Sequence, residues 1–221
     1  MELKGKKIVF LGDSITEGHG TSGKNKTFWA LTGQRTGATV RGFGIGGTRI
    51  APQYDAQDNI WDQNDFIKRA DQMDPDADVV VVLGGTNDFG HGNAPFGTVG
   101  DTEPNTFCGA MDTLCRRLIE RYPAATIVIM TPLHRASENA VVNDNGARIA
   151  APLSAYVDAE RRVAEKYALP VLDLYRVSGL QPAVDVIRER YMPDGLHPND
   201  AGHERIADRL IGFLGTLCAE K

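Results

Sequence analysis

The run Val79-Val80-Val81-Val82-Leu83 constrains this chain more than any other segment. Five consecutive apolar positions, four of them β-branched, suit a strand buried on both faces, because a strand with one wet face alternates apolar and polar residues. The β-branching and the following Gly84-Gly85 argue against a buried helical segment. This run, Ala77 to Gly85, has four β-rich companions: Lys6 to Gly12, Ala38 to Gly44, Ala125 to Thr131 and Leu169 to Tyr175. Each is followed by a loop and then by helical periodicity. That alternation predicts an α/β fold with a five-stranded parallel sheet, Val79 to Leu83 at its centre.

The helices are clearest late in the chain. Phe107, Met111, Leu114 and Leu118 recur at three- and four-residue steps and predict a helix that stops near Pro123. Leu153, Tyr156, Val157, Val163 and Tyr167 form a second stripe, and Ile206, Leu210, Phe213, Leu214 and Leu217 a third after an Asn199 cap. Asn59 to Ile67 also reads as helical. Phe89 to Asn105, rich in Gly, Pro and Asn, reads as a long binding loop. With 221 residues and no repeat or linker, the expectation is one domain over 1–221.

Composition narrows the function classes. Hydrophobic residues make up 42% and charged residues 24%, too apolar for a disordered chain. A net charge of -5 lacks the basic face that a nucleic-acid partner requires. The apolar run Ile8 to Leu11 is too short for a signal peptide, and no stretch reaches membrane-spanning length, so a cytoplasmic protein with no membrane partner is expected. Cys108, Cys115 and Cys218 show no metal spacing, and the first two, seven apart on one predicted helix, cannot bridge. They read as small buried apolar residues.

In an open parallel sheet the loops at the carboxyl ends of the strands share one edge, where ligands bind. Those loops carry Gly12-Asp13-Ser14, Gly46-Gly47-Thr48, Gly85-Thr86-Asn87-Asp88 and Pro132-Leu133-His134-Arg135, and Asp194-Gly195-Leu196-His197-Pro198 leads into the last helix. Such an inventory suits nucleophilic acyl transfer. A serine needs a base to take its proton, the base needs a carboxylate to fix its tautomer, and the tetrahedral intermediate needs donors for its oxyanion. Asp194 and His197, three apart in a turn, are placed to serve Ser14. Taken singly, Ser14 reads as a cap, Asn87-Asp88 as turn formers and Asp13 as a loop-fixing acceptor; their coincidence on one edge favours the catalytic reading.

A second reading competes. Gly42-x-Gly44-x-x-Gly47 is a literal dinucleotide fingerprint after a strand, with Asp62 about twenty residues on, and would make the chain a nucleotide-binding oxidoreductase. Against it, Pro52 falls where the fingerprint's helix should run, and Asp62 lies in a helical pattern rather than at a strand end.

The separated blocks Phe10-Leu11-Gly12-Asp13-Ser14 with Gly18, Gly44-Ile45-Gly46-Gly47, Gly85-Thr86-Asn87-Asp88 and Asp194-Gly195-Leu196-His197-Pro198 together resemble the SGNH (GDSL) hydrolases. Ile15 stands where the family name has Leu, and Gly42 where the glycine block often has Asn. The resemblance implies a three-layer α/β/α sandwich of flavodoxin-like topology. It implies Ser14 as nucleophile, His197 as base and Asp194 as its carboxylate, and an oxyanion hole formed by the Ser14 and Gly47 amides and the Asn87 side chain. No metal or organic cofactor is required by it. The expected activity is a serine esterase of short acyl esters, an O-acetyl group on a sugar or similar small alcohol, since no lid or apolar surface helix for lipid is seen; lysophospholipase and thioesterase are the alternatives. Asp13, His91, Phe96, His134 and Arg135 are the expected substrate-contacting residues.

Overall fold

The computed structural model describes residues 2–54, 56–144 and 146–217. Five strands, β1 (Lys7–Gly12), β2 (Thr39–Gly44), β3 (Val79–Leu83), β4 (Thr126–Met130) and β5 (Val171–Leu172), form one parallel sheet in the order β2-β1-β3-β4-β5. β3 is central and buried along its whole length. The helices are α1 (Ser14–Glu17), α2 (Phe28–Thr36), α3 (Ile60–Gln63), α4 (Phe66–Ala70), α5 (Thr86–His91), α6 (Phe107–Arg121), α7 (Leu153–Lys166), α8 (Leu174–Val177), α9 (Asp185–Tyr191) and α10 (Asp200–Thr216).

Side chains alternate across the sheet with a period of two, so each central strand feeds two cores. Val9, Leu11, Val80 and Val82 pack with α4, α6 and α7, while Ile8, Phe10, Val79 and Val81 pack with α2 and α10. The result is a three-layer α/β/α sandwich whose strand order is that of flavodoxin. The order reverses between β1 and β3, and a crevice opens beyond the carboxyl ends of those two strands. The last helix begins as its sequence predicts, with the Asn199 side chain accepting the Gly202 N–H at 3.1 Å.

Three elements differ from the sequence expectation. β5 is two residues long because Asp173 leaves the strand: its carboxylate accepts the Arg176 N–H, capping α8, and pairs with Arg161 at 2.7 Å. The helix expected from Asn59 to Ile67 is two helices, each with its own cap, Asn59 for α3 and Asp65 for α4. The segment expected as a loop from Phe89 opens inside α5, with Phe89 buried. Cys108 and Cys115 are buried free thiols on α6; Cys218 lies outside the described residues.

Candidate active site

β1 delivers Ser14. The strand ends at Gly12, and Asp13 caps α1 by accepting the Ile15 N–H at 3.0 Å, leaving Ser14 as the first helical residue. The helix rests directly on the neighbouring strand end: a Cβ on Gly44 would lie 2.1 Å from the Glu17 nitrogen. Burial pushes the Asp13 carboxyl up to about 7, against the opposing pull of the Ile15 N–H and Arg69. Asp13 is therefore a buried support beneath the site and does not line the cleft, a correction to its expected place among the substrate contacts.

From the far end of the chain, the turn before α10 brings His197 to Ser14. Ser14 Oγ lies 3.0 Å from His197 Nε2, and His197 Nδ1 lies 2.6 Å from Asp194 Oδ2. The second carboxylate oxygen accepts the backbone N–H groups of Leu196 and His197, at 2.9 and 2.7 Å. Burial raises the Asp194 carboxyl, but the bonds from the His197 ring and from these two amides outweigh it and hold the group below its ordinary range. An ionised Asp194 accepts a hydrogen bond from Nδ1–H, which fixes the tautomer that leaves the Nε2 lone pair facing the serine hydroxyl. His19 packs on the outer face of the ring, centroids 4.5 Å apart.

Two loops complete the crevice. The Gly46 N–H donates to Glu17 Oε2 at 2.8 Å, whereas no hydrogen bond from the amides of Ser14 or Gly47 is found among the described residues. Gly47 has φ +76°, and a Cβ there would lie 2.7 Å from the Trp61 ring, so both conformation and space call for glycine. Arg69 braces the loop, donating to the carbonyls of Gly12 and Phe43 and to Thr48 Oγ1. Asn87 donates from Nδ2 to the Thr48 carbonyl at 3.0 Å and retains a second N–H, while its Oδ1 lies 3.0 Å from His91 Nε2. Burial, then the nearby Arg49 charge, lowers His91 to about 4, so the neutral ring donates Nε2–H and fixes the carboxamide's orientation. Asp88 accepts the Ile50 and Ala51 amides, each at 2.9 Å, tying this loop to α5.

Ser14, Gly47, Asn87 and His197 open into one cleft of about 680 Å³. His91 and Arg135 line it as expected of them. Arg135 is held by the Thr86 carbonyl and Ser137 Oγ, with Asp144 3.6 Å away. Two other expected contacts are elsewhere. Phe96 packs against Phe107 and Tyr156 in the α6–α7 core, and His134 is engaged by Glu138 at 2.6 Å and stacked on Tyr175. The cleft instead gains Glu17, His19, Arg49, Ile60, Trp61 and Asp62, none of which the sequence reading assigned to it. The half-exposed Trp61 in a short, well-capped helix is the signal that was there to be found.

The dinucleotide reading fails on the same geometry. Among the described residues no helix opens directly after Gly47, Asp62 lies within α3, and its carboxylate is paired with Arg49 at 2.6 Å. Among the described residues no cluster of His, Cys, Asp or Glu is arranged to hold a metal, and no helix is long and apolar enough to cross a membrane.

Comparison with known proteins agrees with the fold. The family model of the GDSL-like lipase/acylhydrolase family matches residues 10–205. One solved structure is 38% identical with a TM-score of 0.85, covering 99% of this chain and all of its own. A Lactobacillus plantarum protein is 30% identical with a TM-score of 0.81, covering 96% of this chain and 98% of its own. A two-domain esterase active on acetylated mannans shares the fold at 20% identity and a TM-score of 0.61, with 99% of this chain matched to half of that one. No curated protein matches. On the family model, which spans most of its length, the chain belongs to the GDSL-like lipase/acylhydrolase family.

Proposed function

We propose that the chain is a serine esterase of short acyl esters, working in one domain through an acyl-enzyme on Ser14. The observation that carries this reading is the hydrogen-bonded series Ser14–His197–Asp194, at 3.0 and 2.6 Å. As Ser14 Oγ bonds to the ester carbon, its proton passes to His197 Nε2, and Asp194 stabilises the imidazolium. The amides of Ser14 and Gly47 and the second Nδ2 hydrogen of Asn87 receive the oxyanion. The imidazolium returns its proton to the departing alkoxide; water, deprotonated by the same nitrogen, then releases the acid and regenerates the serine.

The acyl group is short, an acetyl on a carbohydrate or similar alcohol. Support comes from the lining: Ile45, Ile60, Trp61 and Leu196 are its apolar side chains, outnumbered by charged and polar ones, and a long acyl chain requires a continuous apolar channel. Two buried free thiols, Cys108 and Cys115, suit the cytoplasmic location expected from the sequence.

The test is hydrolysis of p-nitrophenyl esters of increasing chain length. Turnover of the acetate by the wild type, abolished in Ser14→Ala, is the expected result. Full activity in Ser14→Ala refutes the nucleophile, and preference for octanoate over acetate refutes the short acyl group.

A further inference from the structure

An acetyl group fills little of a 680 Å³ cleft, a size typical of sites for drug-sized ligands, so most of the cavity serves the alcohol portion of the ester. Its most conspicuous surface is α3. Trp61 is 52% exposed and its neighbour Ile60 58%, although both border the cavity. The Trp61 pyrrole edge lies against Gly47, itself one of the proposed oxyanion donors, and its indole N–H makes no hydrogen bond among the described residues.

This aromatic surface is held firmly. Asn59 Oδ1 accepts the Trp61 and Asp62 amides, each at 2.9 Å. Asp62 pairs with Arg49 at 2.6 Å in largely buried surroundings, and its other oxygen accepts from the Gln57 amide and Asn59 Nδ2. Arg49 follows the glycine loop by one residue and also donates to the His91 carbonyl. A four-residue helix is thereby pinned to both loops of the crevice while its tryptophan is left half in solvent.

We infer that Trp61 is the specificity-determining platform for the alcohol, and that the alcohol is a pyranose ring stacked on the indole. A pyranose has an apolar C–H face for the ring and hydroxyls on its perimeter. The polar rim of the same cleft, Glu17, His19, Asp144 and the Arg135 guanidinium, supplies partners for those hydroxyls, and Trp61 adds its own N–H. An unsubstituted aryl ring would leave that polar rim unmatched. This inference rests on the esterase reading above, and it deepens it by naming the alcohol.

The experiment compares wild type, Trp61→Ala and Trp61→Phe on three acetates: a mono-O-acetyl methyl pyranoside, phenyl acetate and ring-free ethyl acetate. For the pyranoside, Trp61→Ala raises KM about tenfold more than it does for ethyl acetate, and Trp61→Phe much less. An equal fall on all three substrates, or an unchanged pyranoside KM, overturns the platform. A larger loss on phenyl acetate than on the pyranoside overturns the pyranose. A second readout is independent of turnover: in Ser14→Ala the pyranoside perturbs indole fluorescence, and in Ser14→Ala/Trp61→Phe that response disappears. Wild type inactive on every acetate defeats the esterase reading alone, and the titration then still decides the platform, for it or against it.

Discussion

Glu17 and Gly46, 29 positions apart, meet through a 2.8 Å hydrogen bond in which the glycine N–H donates to the carboxylate. Glu17 is the last residue of α1, the helix that opens with Ser14, so one side chain couples the helix of the proposed nucleophile to the glycine loop. With the Gly46 amide committed, Gly47 is the loop amide left for the proposed oxyanion. Glu17→Ala releases that constraint. The expected result is kcat lowered about fivefold with KM for ethyl acetate nearly unchanged, the size of one exposed charge-assisted hydrogen bond, and steady-state kinetics check it.

Asn87 and His91 form a second coupled pair. Removing the carboxamide in Asn87→Ala costs about 2.7 to 4 kcal/mol of transition-state stabilisation if it is an oxyanion donor. His91→Ala removes the bond that orients the carboxamide but leaves the carboxamide itself, so the expected loss in kcat is smaller. In the double variant the effects are not additive, because His91 acts through Asn87. Additive losses measured in the four-protein cycle would show that His91 acts independently of Asn87.

Asp13 makes stability depend on pH in an unusual direction. Its folded-state value of about 7 lies above the ordinary 3.8, so the native state holds this proton more tightly than the unfolded chain. The associated stability is complete below pH 3.8 and is lost as pH rises through about 7. From 3.8 to 7, at about 1.36 kcal/mol per pH unit, the loss is on the order of 4 kcal/mol. Asp13→Asn keeps an acceptor for the Ile15 amide and cannot ionise. Urea denaturation should find it more stable than wild type at pH 8, with the advantage gone near pH 4.

The Arg49–Asp62 pair tests how α3 is held. Side chains 8% and 11% exposed face each other at 2.6 Å, and Asp62→Ala leaves the guanidinium buried without its carboxylate. Such a break costs about 3 to 5 kcal/mol. A lowered urea midpoint is expected, together with a raised KM for acetylated pyranosides in protein that remains folded at assay temperature.

Much of the fold was legible because it is written in local periodicity. The continuous apolar run of β3, the stripes of α6, α7 and α10 and the Asn199 cap each declare themselves within a dozen residues. The Asp194–His197 turn is equally local, with three residues setting its geometry. Residues whose roles arise from distant partners were harder to read. His134 occupies a strand-end loop like any site residue, yet Glu138 and the Tyr175 ring take it out of the cleft. Phe96 looked like a wall of the binding loop until Phe107 and Tyr156 closed around it. Trp61 and Ile67 shared a helical spacing, and only the break at Asn64-Asp65 sends the first to the cavity and the second to the core.

The turn from Asp194 to His197 has one more consequence. Its carboxylate grips the imidazole on one oxygen and the turn's own backbone on the other, so acid and base travel as a rigid unit. The bond to Ser14 joins segments 183 residues apart, with the His19 ring packed beside it on the same imidazole. Under the proposed mechanism, a displacement that parts the serine from the imidazole would leave the histidine–aspartate couple intact, and restoring it would require closing one gap rather than rebuilding three positions.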